Sequence, residues 1–136
     1  MIKADKADKA DKAVMVMGDT NGFRALNVWQ RAKDLAVLIY RVTETGSFAR
    51  DFGLKDQIRR AAVSVPSNIA EGDERDTNKD SVRFLYIAKG SLAEVVTQAI
   101  IACEIGYLNE ADRTCIEQEC EALGRMLGSL IKARKQ

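Results

Sequence analysis

Apolar side chains recur along most of this chain at three- and four-residue intervals, the spacing that lines one face of an α-helix. The stretch from Leu54 to Gly72, LKDQIRRAAVSVPSNIAEG, shows it most clearly, with Leu54, Ile58, Ala61, Val65 and Ile69 in one stripe. A second set of small residues, Ala62, Ser64, Ser67 and Ala70, lets neighbouring backbones come close. Pro66, the only proline, stands in the middle. It lacks an amide donor and crowds the carbonyl of Ala62, so this helix is expected to kink there. The cost of about 3 kcal/mol must be offset by packing.

The other stripes follow the same rule. A first helix is expected from Ala25 to Thr43, with Val28, Ala32, Leu35, Ile39 and Val42 at heptad spacing and Trp29, Ala36 and Leu38 widening the face. Gly46-Ser47 breaks it, and Phe48 and Phe52 flank the entry to the second helix, Arg50 to Gly72, with Gly72 as its stop. The third helix starts at Thr77 or Asn78, either of which can cap it, and runs to Gly106. Its heptad is Leu85, Ala88, Leu92, Val95, Ala99 and Ala102. Gly90 lies mid-helix at a cost of about 1 kcal/mol relative to alanine; beside Ala93 and Thr97 it marks a close helix approach. The fourth helix, Asn109 to Arg134, pairs an Asn109 cap with Asp112 and carries a seam of Ile116, Cys120, Leu123, Leu127 and Leu130.

No segment alternates as a strand does, and every connection is short, so the expected fold is all-α, an up-down-up-down four-helix bundle over residues 23–136. Residues 1–22 read as a low-complexity tail and linker: KADKADKADK (3–12) has no large apolar side chain, although Asp5–Lys9 and Asp8–Lys12 can support a frayed helical extension. The second and third helices carry apolar and small residues beyond the stripe a lone bundle needs, which predicts association with further copies of the chain.

QIRRAAVSVPSNIAEG (57–72), with VWQRAKDL (28–35), RFLYIAKGSLAEV (83–95) and ACEIGYL (102–108), resembles the small four-helix-bundle proteins encoded in intervening sequences of bacterial 23S ribosomal RNA genes. That family was once labelled S23 ribosomal protein and includes the accessory variability proteins of diversity-generating retroelements. The resemblance covers about residues 23 to 132; the chain departs from it at Gly46-Ser47-Phe48, where the family carries a proline, and in its amino-terminal repeat. It implies a ring of five bundles, a homopentamer, with structured RNA or DNA and a reverse transcriptase as partners. Pro66, Ser67, Asn68, Glu71, Gly72 and Gly90 are the candidate structural motif and interface residues.

Charge and chemistry narrow the function further. The net charge of +1 shows no global basic excess, so any nucleic-acid site must come from local clustering. Lys55, Arg59 and Arg60 share part of one face of the second helix, Arg75, Lys79 and Arg83 lie around the next turn, and Arg125, Lys132, Arg134 and Lys135 enrich the C-terminal end. Arginine's planar fork suits phosphate oxygens. The plainer reading is a solvated face, because Asp51, Asp56, Asp73 and Asp76 can pair with these groups. Copied around a ring, a modest patch becomes multivalent. Base stacking needs exposed rings, and Tyr107 is the candidate, with Trp29, Phe84 and Tyr86 expected to be buried in the core or at an interface.

Catalysis finds little support. The chain has no histidine, the commonest general base and metal ligand. Cys103, Cys115 and Cys120 lack zinc-site spacing; Cys103 and Cys120 read as core atoms, with Cys115 partly exposed. Glu71, Asp73, Glu74 and Asp76 form an acidic cluster, read as a solvated loop rather than a magnesium site. No catalytic residue, metal or cofactor is therefore expected. An odd cysteine count and no secretory signal point to the cytoplasm, and no apolar run approaches a membrane span. The expected function is a non-enzymatic oligomeric scaffold that binds RNA or DNA; the alternative is a protein–protein interaction module with no nucleic-acid role.

Overall fold

The computed structural model describes residues 22–136. The tail expected over residues 1–22, with its helical extension, lies outside the described residues apart from Gly22. A 3-10 turn, Gly22–Ala25, leads into five helices: α1 (Asn27–Val42), α2 (Gly46–Arg50), α3 (Phe52–Asp73), α4 (Asn78–Glu104) and α5 (Glu110–Lys135). No strand occurs among the described residues, so the protein is all-α. Packing runs in a cycle: α1 lies on α3, α3 on α4, α4 on α5, and α5 returns more lightly to α1.

Periodicity explains the core. Ile58, Ala61, Val65 and Ile69 of α3 are buried, as are Leu85, Ala88, Leu92, Val95, Ala99 and Ala102 of α4. Ile116, Cys120, Leu123, Leu127 and Leu130 of α5 join them, facing Val28, Ala32, Leu35 and Ile39 of α1. Leu54 and Val42, at the ends of their stripes, are only partly buried. The light contact of α5 with α1 is reinforced by Arg31, which forks onto Glu119 through two bonds of 2.9 Å.

Helix ends are set by side chains and by one left-handed residue. Asp51, Thr77 and Asn109 accept the amides of Leu54, Asp80 and Asp112 at 3.1, 3.2 and 2.7 Å, satisfying orphan donors at the starts of α3, α4 and α5. Gly106, at φ 89°, closes α4: its amide donates to Cys103 O and the Tyr107 amide to Ala102 O, a Schellman pair.

Several expectations are corrected. Gly72 does not stop its helix; α3 continues to Asp73 with Glu74 as C-cap. Gly72 is buried, and a methyl group there would stand 3.0 Å from the Ser81 carbonyl oxygen and 3.2 Å from Phe84 Cβ, so its role is to let α3 and α4 touch. Gly90 is exposed, and a methyl group there would meet nothing within 4 Å, so it makes no close approach within this chain. The single-turn α2 stands before α3, and its Phe48 is wholly buried while Phe52 is 68% exposed. Pro66, by contrast, lies as expected inside α3, buried and without ending the helix. By length and composition α4 is apolar enough to cross a membrane, with a mean hydropathy of 1.3 over 18 residues. A core helix passes the same test, and one face of α4 packs on α3 and α5.

Candidate nucleic-acid interface

The six candidate cations do not form one site. Arg60 and Arg75 are fifteen residues apart on and just beyond α3, about 22 Å along a helix axis at 1.5 Å per residue. Lys55, Arg59 and Arg60 lie towards the α3 start, beside the end of α1. There Arg59 donates from Nε to Thr43 Oγ1 at 2.8 Å and from Nη2 to the Tyr40 carbonyl at 3.3 Å, with its guanidinium 4.2 Å from the Tyr40 ring centroid. Its donors thus satisfy the carboxyl end of α1, which makes it a packing residue. Lys55 sits 4.7 Å over the Phe52 ring, while Arg60 is exposed.

The other three gather where α3 ends, α4 begins and α5 finishes. Arg75 pairs with Glu71 at 3.1 Å and Arg83 with Asp80 at 3.9 Å. Both guanidinium groups also sit 4.5 Å from the Phe84 ring centroid. Lys79 is exposed on the first turn of α4. In the sequence Arg134 and Lys135 read only as part of a basic C-terminal end. Short connections between packed helices make neighbours antiparallel, and that rule carries the last turn of α5 to this same end. Arg134 there bonds Ser81 Oγ at 2.7 Å and Asp73 Oδ1 at 3.0 Å, and Lys135 lies 5.8 Å over the Tyr86 ring. Asp73 is thus a salt-bridge partner, and of the acidic loop only Glu74 and Asp76 form no ion pair among the described residues.

The central motif divides between packing and surface. Asn68 Nδ2 donates to Ser64 O and Ser64 Oγ, and the Ser64 and Ser91 hydroxyls lie 2.8 Å apart. Ser91 Oγ donates to Ile87 O at 3.1 Å, so with one proton per hydroxyl the chain runs Asn68 to Ser64 to Ser91 to Ile87. This polar thread ties α3 to α4. Ser67 and Glu71 instead face outwards, lining an open cleft of about 400 Å³ with Phe23, Ala70, Glu74 and Arg75.

Tyr107 is not a free stacking ring. It packs 5.4 Å from Phe48, centroid to centroid, and its hydroxyl donates to Asp51 Oδ2 at 3.0 Å. Phe84 and Tyr86, expected in the core or at an interface, are respectively half-buried and 49% exposed in the single chain. The thiols with shifted acidity move away from nucleophilic character. Burial raises Cys103, helped by its bond to Glu110, and burial pushes Cys120 up to about 12. Among the described residues no group of three or more His, Cys, Asp or Glu side chains converges to hold a metal ion.

These features define an all-helical protein whose polar side chains chiefly hold helix ends and helix pairs in place. The family model of the 23S rRNA-intervening sequence protein matches residues 24–129, and the chain belongs to that family. Its fold is similar to the crystal structure of a protein of unknown function from the S23 ribosomal protein family of Bacteroides thetaiotaomicron. The TM-score is 0.71 at 22% identity, covering 77% of this chain and 98% of that one. A comparison with curated proteins finds no match.

Proposed function

We propose that the chain is a non-enzymatic scaffold: an up-down-up-down four-helix bundle, bent at Pro66, that assembles with copies of itself and binds RNA or DNA through its repeated basic ends. The observation that carries assembly is the outer side of α4. Tyr86, Ile87, Ile101 and Ile105 are 49, 43, 45 and 53% exposed there, and Gly90 and Ala93 lie exposed between them. A mid-helix glycine with open space around it has no use inside one chain, and a second chain pressed against α4 gives it one. The family resemblance adds a ring of five, a reverse-transcriptase-type partner and a cytoplasmic setting to this reading.

Light scattering at micromolar concentration tests the assembly; a monomer overturns it. Titration of a labelled RNA against rising salt tests the binding, which should weaken steeply as phosphate counterions compete. The second reading, a protein–protein interaction module, is favoured by the pairing of Arg75 with Glu71, Arg83 with Asp80 and Arg134 with Asp73. No detectable RNA or DNA binding at low salt selects it.

A further inference from the structure

One cleft at the basic end is lined by cations without a facing carboxylate side chain. About 310 Å³ in volume, it lies between the opening turns of α4, which supply Asn78, Lys79 and Val82, and the end of α5, which supplies Arg134, Lys135 and Gln136. Three positive side chains from two helices thus border one hollow. Arg134 is fixed by Ser81 Oγ and Asp73 Oδ1, with its side chain only 16% exposed. Those two bonds use two of the five guanidinium donors. Asp73 offsets the charge of Arg134, while Lys79 and Lys135 take part in no ion pair among the described residues. Gln136 also brings its main-chain carboxylate to the rim, so two unpaired ammonium groups against one carboxylate leave the hollow a net charge of about +1, and Val82 gives it an apolar wall.

We propose that this cleft is a phosphate-group subsite, with Lys79 and Lys135 as its charge-bearing ligands and Arg134 as a pre-set donor. The proposal rests on the nucleic-acid reading where the phosphate is a phosphodiester of a bound strand; free phosphate is the other source of the same chemistry. Arg75 and Arg83 do not serve equally, because each already faces a carboxylate and the Phe84 ring. Pairing lowers the gain from a phosphate contact, whereas Lys79 gives up only water.

The test uses the full chain, as wild type, as Lys79→Gln with Lys135→Gln, and as Arg75→Gln with Arg83→Gln. Both lysines are exposed and unpaired, so helicity and particle mass should hold in the first variant. Fluorescence anisotropy with a labelled single-stranded RNA then gives the slope of log affinity on log salt. Each lost contact lowers that slope by about 0.7. The lysine variant should lose about 1.4 per subunit engaged, and the arginine variant less. RNA binding with an unchanged slope in the lysine variant overturns the subsite and leaves the nucleic-acid reading standing. Titration with inorganic phosphate, followed by amide shifts of Asn78, Lys79 and Lys135, covers the other source. Shifts in wild type that vanish in the lysine variant support the subsite even if no RNA binds, and the nucleic-acid reading then falls alone. If the chain shows no RNA binding and no amide shifts, both the subsite and the nucleic-acid reading are overturned.

Discussion

Two single residues concentrate the chemistry of the helix junctions. Gly72 allows α3 and α4 to touch, since any Cβ there faces the Ser81 carbonyl at 3.0 Å, and a backbone oxygen cannot swing aside as a side-chain tip can. Gly72→Ala gains up to about 1 kcal/mol of helix propensity but overpacks the contact at a cost of about 1–3 kcal/mol. The urea midpoint should therefore fall, and a rise would mean that the helices separate freely. Asp51 acts through hydrogen bonding. The Leu54 amide, then the Tyr107 hydroxyl, hold its carboxyl below the ordinary carboxylate value. A depressed folded-state pKa stabilises fully above the unfolded value of about 3.9. That contribution disappears as the pH drops through the folded value. Asp51→Asn keeps a capping oxygen without a titrating proton, so its loss of stability between pH 7 and pH 3 should be smaller than that of the wild type. Equal losses in both proteins would place the acid sensitivity elsewhere.

At the scale of the helices, α4 separates what the sequence could reveal from what it could not. Its inward heptad was legible because one repeat of 3.5 to 3.6 residues decides which side chains meet the core; side-chain oxygens pointed to Asn109 as a cap and to Thr77 or Asn78 as the other, and Thr77 is the one used. The meaning of the glycines of α3 and α4 was not legible. Gly72 and Gly90 look alike as letters, yet one lies under a neighbouring backbone and the other in the open on the outward side of α4. Partners of the basic residues were hidden for a similar reason: Arg134 and Asp73 lie 61 positions apart, and Arg59 meets Thr43 across a turn that holds the unforeseen α2. Gly90→Ala is consequently a sharp probe of α4. With helical backbone and free space, alanine should raise the stability of the isolated chain by about 0.4–1 kcal/mol, while pressing a methyl group into any chain packed against this face. Stability measured at high dilution should rise as the assembly constant falls. A rise in both would show that Gly90 lies outside the contact.

For the whole molecule, the decisive quantity is the cost of leaving the α4 face wet. Ile87 and Ile101 are two heptads apart, so they share one side of the helix about 21 Å from each other, and each is nearly half exposed. Lysine at both positions costs a solitary chain little, because substitutions at solvated sites away from caps and core usually lie within about 0.5 kcal/mol of neutral. Between subunits the balance reverses. Each ammonium would lose its water without gaining a carboxylate, a penalty of several kcal/mol per buried charge, repeated at every junction of the proposed assembly. Ile87→Lys with Ile101→Lys should therefore leave the helical circular dichroism intact and reduce the light-scattering mass to that of one chain. RNA affinity should fall with it, since the basic ends are untouched but no longer linked. An assembly of unchanged mass in this variant would show that α4 faces solvent in the particle, and the apolar side chains on α1, Val37 and Tyr40, would become the surface to test.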